Sequence, residues 1–187
     1  MPSTTRAFPT DHLLDFDSDS YDSIKEIEKK TNHDIKAVEY YLKSKLESPD
    51  FQIYQEYIHF LCTSEDINNL AYSLMISNFT KDVFIPKIQE LISILGKIAL
   101  ENENCAMMAR THGQAATPTT MGKEMANFIY RISRQKKNID NVKMVGKING
   151  AVGNFNSHRF VLEDIDWLNV TKEFVEEELS LEHNPYR

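Results

Sequence analysis

Apolar residues at helical spacing are the feature that most limits what this chain can fold into. From Ser23 onward they recur every three or four residues, and no segment alternates apolar and polar residues for long. Two of these stripes are Ile67, Leu70, Ala71, Leu74 and Met75, and then Ile88, Leu91, Ile92, Leu95 and Ile98. Such stripes are typical of amphipathic helices that bury one face against a neighbour. We therefore expect a mostly α fold, built as a bundle of long helices with few strands.

Short capping signals indicate where the helices begin and end. Three pairs of residues have the spacing of a capping box: Ser23 with Glu26, Thr31 with Asp34, and Thr63 with Asp66. Thr117 followed by Pro118 predicts another helix start, because proline suits the first helical position. Pro86 should kink or interrupt the helix that follows Thr63. The remaining expectations are helices at residues 51–61 and 170–179 and a turn at residues 102–104.

The chain divides into three segments by composition. Residues 1–22 contain two prolines, many Ser and Thr residues and an acidic patch at residues 15–19, so we expect an irregular lead-in. The sequence SPD at residues 48–50 should end the second helix. We expect a domain or subdomain boundary there, between residues 23–50 and residues 51–187.

The charge balance and the cysteine usage argue against several classes of protein. The 187 residues contain 21 Lys and Arg against 28 Asp and Glu, a net charge of −7 that is untypical of a nucleic-acid binder. No stretch approaches the roughly 18 uncharged residues that a membrane span requires. Cys62 and Cys105 lack the spacing of a zinc site or a disulfide framework, which fits a reducing compartment. We therefore expect a cytoplasmic chain that binds neither nucleic acid nor membrane.

Three short polar clusters lie beside the apolar stripes, at residues 31–34 (TNHD), 63–66 (TSED) and 110–114 (RTHGQ). Hydroxyl groups at a helix start can hold an anion together with the free N–H groups of the first turn, but the spacing at residues 63–66 alone favours a plain capping box. His33 fits an exposed first-turn residue as well as a functional one. His112 lies among small and polar residues, where an imidazole suited to proton transfer near neutrality could face a cleft.

The other histidines and the glycine-spaced loop carry weaker signals. His59 lies on an apolar stretch and is expected to be a packed core residue. His158 follows the loop that contains Gly146, Gly150 and Gly153, and it could border a site. That loop follows no predicted strand and lacks the spacing of a nucleotide-phosphate loop.

Taken together, four segments resemble the fumarase/aspartase superfamily of lyases and, within it, the bacterial type of the adenylosuccinate lyase family. Residues 63–70 (TSEDINNL) and 110–118 (RTHGQAATP) are similar to the first two segments that the superfamily shares. Residues 31–40 (TNHDIKAVEY) and 146–154 (GKINGAVGN) are similar to stretches typical of the adenylosuccinate branch. The resemblance covers about residues 23–186 and implies the long-helix bundle of this superfamily. It also implies that residues 23–50 belong to an N-terminal helical domain and that residues 51–187 form the first part of a central helical bundle.

The resemblance implies a β-elimination that releases fumarate. The substrates would be adenylosuccinate, which gives AMP, and the succinyl-carboxamide ribotide SAICAR, which gives AICAR, both in purine nucleotide biosynthesis. By analogy with the family, His112 is the catalytic general acid. The substrate contacts implied in the same way are Asn32, His33, Asp34, Thr63, Ser64, Thr111 and Gln114. No metal or organic cofactor is implied, and family members are homotetramers whose active sites draw on three subunits.

The sequence also departs from the family pattern. The family's third shared segment, a flexible loop of the form SSxMPxKxNP that carries the serine base, has no counterpart, since the only Met-Pro pair is at residues 1–2. We therefore expect a truncated bundle, part of a larger enzyme, that lacks turnover alone. One alternative is another fumarate-releasing member, such as an argininosuccinate lyase-like protein, which the matches at residues 31–40 and 146–154 disfavour. The other is a non-catalytic helical interaction module.

Overall fold

The structure, a computed structural model, describes residues 16–46 and 51–186. They form two compact units: the first joins the described residues up to Ala71 with those from Gly146 onward, and the second is Tyr72–Val145. Both are mostly helical, which confirms the predicted fold class. The division of the sequence after residues 22 and 50 stays a prediction. None of the helices that the structure describes combines the length and the apolar character of a bilayer-spanning segment.

Long helices and one hairpin account for most of the described chain. In chain order, the elements are α1 (Ser18–Thr31), α2 (Asp34–Lys45), a 3-10 helix (Gln52–Tyr57), α3 (Ser64–Phe79), a π-helical turn (Thr80–Phe84), α4 (Ile85–Glu101), β1 (Ala106–Thr111), β2 (Gln114–Thr120), α5 (Met121–Asp140), β3 (Val145–Gly146), α6 (Asn156–Val161), α7 (Trp167–Glu173), a second π-helical turn (Phe174–Glu178) and β4 (Glu182–His183). β1 and β2 form an antiparallel hairpin, and β3 pairs with β4.

The helix that follows Thr63 is interrupted where Pro86 predicts. α3 and α4 are joined by the π-helical turn, and Pro86 lies in the first turn of α4. Proline has no N–H to donate to the preceding turn, so regular α-helical hydrogen bonding cannot continue through it. The wider π-helical turn takes up this irregularity without ending the helix.

The first helix begins earlier than its capping box predicts. α1 starts at Ser18 rather than Ser23, because the side chain of Asp17 accepts a hydrogen bond from the Ser20 N–H at 2.8 Å. An aspartate in this position satisfies a free donor of the first turn. The end of the expected irregular lead-in is therefore helical, while residues 1–15 lie outside the described residues.

The capping residue of α2 also differs from the prediction. His33, not Thr31, provides the cap, since its Nδ1 accepts a hydrogen bond from the Lys36 N–H at 3.3 Å. At α3 the predicted capping-box bond is present, because the Thr63 N–H donates to Asp66 Oδ2 at 3.0 Å.

The predicted helix start at Thr117 and Pro118 is wrong. Both residues lie in β2, and α5 begins only after it, with Thr120 Oγ1 accepting from the Lys123 N–H at 3.2 Å. A residue that precedes proline favours extended backbone, so the Thr-Pro pair suits a strand as well as a cap. Thr120 supplies the threonine cap two residues after the proline.

The shorter expected elements are confirmed in part. The segment 51–61 contains the 3-10 helix followed by turns, not the expected α-helix. The turn at residues 102–104 is present as predicted. The last helix begins at Trp167, three residues before the predicted start, and continues into the second π-helical turn.

The core of the first unit combines residues from distant parts of the chain. Its buried apolar side chains are Ile35, Ala37, Tyr41, Leu46, Leu70, Val175 and Leu181. Within it the hydroxyl of Tyr41 donates a hydrogen bond to Ser20 Oγ at 2.7 Å, which joins α2 to α1. Val175 and Leu181, which come late in the chain, therefore share a core with Leu70 of α3, since all three surround Gly146.

In the second unit, α4 and α5 meet closely at Gly122. A Cβ atom at this position would lie 2.4 Å from the carbonyl oxygen of Ala99 and 2.7 Å from the Cα of Glu103. Both neighbours are backbone atoms, so no side chain can rotate away. Only glycine therefore allows the start of α5 to approach the end of α4 this closely.

The substitution Gly122→Ala should destabilise the protein by about 1–3 kcal/mol, the usual cost of overpacking. Gly96→Ala is the matched control, because a Cβ atom at Gly96 meets nothing within 4 Å and the residue lies inside α4. Alanine there should stabilise the helix by about 0.5–1 kcal/mol. Urea unfolding of the three proteins measures both effects, and equal midpoints for Gly122→Ala and the unsubstituted chain would contradict the close approach.

Candidate active site

Asp66 connects the start of α3 to the loop that follows β3. Its carboxylate is fully buried, and each of its oxygens accepts two hydrogen bonds. The N–H groups of Thr63 and Gly150 donate to Oδ2 at 3.0 and 3.2 Å. Lys147 Nζ and the Asn149 N–H donate to Oδ1 at 3.0 and 3.2 Å. One side chain thereby holds two of the four lyase-like segments side by side.

Asn69 holds the same loop through the backbone of Lys147. Its Oδ1 accepts from the Lys147 N–H at 2.9 Å, and its Nδ2 donates to the Lys147 carbonyl at 3.1 Å. The side-chain amide thus pairs with the backbone of Lys147 much as a neighbouring strand would. Lys147 is fixed twice, since its buried ammonium also pairs with Asp66.

His33 links the start of α2 to the start of α3. Its Nε2 lies 3.4 Å from Ser64 Oγ, while its Nδ1 accepts the capping hydrogen bond from Lys36. Nδ1 also lies 3.2 Å from Asp34 Oδ1, so the tautomer of the ring decides whether Nε2 donates to the serine oxygen or accepts from the Ser64 hydroxyl.

The neighbours of His33 are exposed and polar. Asn32 ends α1 in the left-handed conformation (φ 51°), and its N–H donates to the Glu28 carbonyl at 2.7 Å. A hydrogen bond from the Ile35 N–H to Asp34 Oδ1 at 2.8 Å is the main reason why the pKa of Asp34 lies below its ordinary value. Together with His33, these residues line an open depression formed by Lys25, Glu28, Lys29, Asn32, His33 and Asp34.

The second polar cluster lies at the tip of the β1–β2 hairpin. His112 and Gly113 form the turn, both with positive φ (51° and 77°), as hairpin turns of two residues require. The flanking residues Thr111 and Gln114 are paired across the hairpin, and all four residues are exposed. His112 therefore lies on a tight β-turn between two strands, and not shortly before a helix as the predicted start at Thr117 implies.

The structure places the eight predicted site residues in both compact units. Five lie in the first unit: Asn32, His33, Asp34, Thr63 and Ser64. Within it, His33 contacts Ser64, and the Thr63 N–H donates a hydrogen bond to Asp66. Thr111, His112 and Gln114 lie in the second unit. Sequence reasoning missed the contacts that Asp66 and Asn69 make with Lys147, of which Asp66 and Lys147 are buried. The capping-box position of Asp66 was the available signal, but it gave no indication of the loop that completes the carboxylate's contacts.

Cysteines and metal ligands add little to this site. Cys62 and Cys105 are both free thiols, and burial, together with the charge of Asp66, raises the pKa of Cys62. Within residues 16–46 and 51–186, the structure brings together no group of three His, Cys, Asp or Glu residues that could hold a metal ion.

His158 is packed beneath the loop that contains Gly150. It is 2% exposed, and its ring makes edge contacts with Phe155 and Trp167, at centroid distances of 5.4 and 4.9 Å. Its Nδ1 lies 3.9 Å from where a Cβ atom of Gly150 would be. Burial lowers the pKa of His158, and the charge of Asp66 offsets only part of this effect.

Comparison with known proteins identifies the family. A family model described as "Lyase" matches residues 9–182. The chain belongs to this lyase family. The match includes all four of the segments that resemble lyases, and therefore both the Asp66 contacts and the hairpin.

Curated members of the lyase family with similar sequences are named adenylosuccinate lyase. The relative from Vibrio cholerae is 49% identical over 164 residues, which are 87% of this chain and 36% of the relative. The Escherichia coli K12 relative is 46% identical over 175 residues, covering 93% of this chain and 38% of its own length. The relative from Legionella pneumophila strain Corby is 44% identical over 187 residues, 100% of this chain and 41% of the relative. The chain thus spans about two fifths of these relatives.

Solved structures share the fold at low sequence identity. A fumarate lyase from Mesorhizobium sp. BNC1 matches with a TM-score of 0.77 at 21% identity, covering 93% of this chain and 39% of that one. A β-carboxy-cis,cis-muconate cycloisomerase from Acinetobacter calcoaceticus matches with a TM-score of 0.69 at 22% identity, covering 88% of this chain and 37% of that one. These likenesses establish the lyase fold.

The stability of the protein should fall as the pH decreases through about 6.5, the ordinary pKa of histidine. Because the folded-state pKa of His158 is lowered, the unfolded chain takes up the proton first, and stability present above this pH is lost below it. The slope attributable to His158 is at most about 1.4 kcal/mol per pH unit.

The substitution His158→Phe tests this origin of the slope, since it keeps an aromatic ring in the pocket but removes the titrating group. Urea unfolding followed by circular dichroism between pH 5 and 8 should show a flatter profile for the variant. Some slope should remain, because burial also lowers the pKa of His183. Identical slopes for the two proteins would show that His158 does not titrate as described.

Proposed function

We propose that the chain is part of an adenylosuccinate lyase, which eliminates fumarate from adenylosuccinate to give AMP and from SAICAR to give AICAR. The observation that carries this proposal is the 49% identity to the Vibrio cholerae adenylosuccinate lyase over 87% of the chain. The proposal concerns the whole enzyme, because the matched residues are 36% of that relative.

The proposed elimination breaks a carbon–nitrogen bond and needs a base, an acid and hydrogen-bond donors. A base removes the carbon-bound proton, the C–N electron pair leaves with nitrogen, and His112 gives that nitrogen a proton. The base is assigned to the part of the enzyme outside the matched residues. Exposure of His112 on its hairpin turn supports this assignment, since its imidazole can enter a site completed by other segments.

The proposed substrate contacts follow from the polar groups at the helix starts. Thr63 and Ser64 donate hydrogen bonds to the fumaryl carboxylate, which the positive end of the α3 dipole also favours. The position of Ser64 Oγ, 3.4 Å from Nε2 of His33, supports this contact, because it places two proposed substrate contacts side by side. His33, with Asn32 and Asp34, contacts the substrate from the start of α2. Thr111 and Gln114 flank the acid and are further proposed contacts.

We also propose that the complete enzyme is a cytoplasmic homotetramer. Large apolar side chains on the helices of the second unit support self-association, because several are more than half exposed. They are Tyr72, Met75, Phe79, Phe128 and Tyr130. Exposed apolar surface of this extent is typical of a surface that a partner covers.

A hybrid enzyme tests the proposed function. In it, the 164 matched residues of this chain replace their counterparts in the full-length Vibrio cholerae relative. We expect fumarate release from adenylosuccinate and from SAICAR but not from argininosuccinate, which serves as the control substrate. A folded hybrid that releases no fumarate from either purine substrate would contradict the proposal.

In this hybrid enzyme, His112→Asn should lower kcat by about 10²- to 10⁴-fold, the usual contribution of general acid catalysis. Asparagine tolerates positive φ, so the hairpin turn should be preserved. His59→Asn is the matched control, because His59 is also a histidine with positive φ (64°) but is not a proposed site residue. Steady-state fumarate assays compare the two, and comparable losses of kcat in both variants would argue against His112 as the acid.

A further inference from the structure

We infer that Asp66 is a positioning residue of the lyase reaction, which fixes the hydroxyls of Thr63 and Ser64 by holding the backbone of Thr63 against the Lys147–Gly150 loop. The inference rests on the proposed function, because those two hydroxyls are its proposed substrate contacts. Asp66 itself is fully buried, so it acts through Thr63 rather than by touching the substrate.

The burial of Asp66 is more than a helix cap requires. A capping-box carboxylate needs to accept one N–H of the first turn and can remain in water. Asp66 accepts that bond and three more, from Lys147, Asn149 and Gly150, at 0% exposure. A charge removed from water is costly unless it is paired and fully hydrogen-bonded. The arrangement therefore serves to join two segments rather than to end a helix.

The same oxygen couples the loop to the proposed substrate contacts. Oδ2 of Asp66 accepts hydrogen bonds from the N–H groups of both Thr63 and Gly150. A displacement of the loop at Gly150 would therefore move this oxygen and, with it, the backbone of Thr63. Ser64 follows Thr63 directly and contacts His33, so its hydroxyl depends on the same backbone position. Correct placement of such groups contributes strongly to rate, because small displacements weaken hydrogen bonds in the transition state.

Two features of the site allow the positioning effect to be separated from stability. Asn69 holds the backbone of Lys147 independently of the ion pair, so the loop keeps one attachment when Asp66 is changed. Lys147 is the cationic partner, so replacing both charged residues leaves no unpaired buried charge. The double variant Asp66→Leu with Lys147→Met therefore removes both carboxylate oxygens without leaving an unpaired buried charge. A leucine side chain of similar shape accepts no hydrogen bond, so the N–H groups of Thr63, Asn149 and Gly150 lose this acceptor.

The test uses the hybrid enzyme with this double variant, with Asn69→Ala as the matched control. Asn69→Ala loosens the same loop but leaves the bond between Asp66 and Thr63 intact. We expect both variants to lose stability, because each leaves polar backbone groups without a partner. Only the double variant should lose at least tenfold in kcat/KM, whereas Asn69→Ala should keep most of it. If the loss of kcat/KM were in proportion to the loss of stability in both variants, the inference would be overturned, while the proposed function would stand.

A double-mutant cycle adds a readout that a purely structural effect would not change. Because Asp66 acts through Thr63, the effect of Thr63→Ala on kcat/KM should be much smaller in the double variant than in the unsubstituted hybrid. If Thr63→Ala lowered kcat/KM by the same factor in both backgrounds, the two sites would act independently and the inference would be overturned. An unsubstituted hybrid without fumarate release would instead overturn the proposed function, and the inference with it.

Hydrogen exchange in the 187-residue chain tests the contact without activity. The double variant should exchange the amide hydrogens of Thr63 and Gly150 faster than the unsubstituted chain, while the amide of Lys147, held by Asn69, should change less. Unchanged exchange at Thr63 would show that Asp66 does not hold this backbone, and the inference would fail even if the proposed function stands.

Discussion

The buried carboxylate of Asp66 is the interaction on which the candidate site of the first unit depends. Four donors surround it, and the Lys147 ammonium balances its charge. Breaking a buried pair of this kind by removing one partner usually costs about 3–5 kcal/mol, because the other charge stays buried. The start of α3 and the loop after β3 are therefore not independently movable pieces, although they are far apart in the sequence.

Local sequence patterns predict the helical part of the fold well. The stripes beginning at Ile67 and Ile88 correspond to α3 and α4, and Pro86 predicts the irregular turn between them. The same reasoning finds the three polar clusters, because hydroxyls and imidazoles beside apolar stripes are conspicuous. It predicts the wrong capping residues for α1 and α2, because local spacing does not show which of several possible caps is used. Asp17 caps α1 instead of Ser23, and His33 caps α2 instead of Thr31.

Contacts between distant residues are what the sequence leaves undetermined. Asp66 and Lys147 are 81 residues apart, and no local period connects them. The hairpin is missed for a different reason: its strands are short, exposed on both faces and rich in small residues, so neither strand alternates in hydrophobicity. Gly113 after His112 is a typical hairpin-turn residue, but only in the presence of flanking strands that the pattern does not reveal.

The position of Trp167 gives this chain an intrinsic optical label for one of its two units. It is the single tryptophan of the sequence, and it lies in the first unit, where its indole N–H donates to the Leu162 carbonyl at 3.0 Å. The second unit contains the tyrosines Tyr72 and Tyr130 but no tryptophan. Tryptophan emission therefore follows the unfolding of the first unit alone, whereas circular dichroism follows both. A difference between the two curves measures how cooperatively the two units unfold, without any chemical labelling.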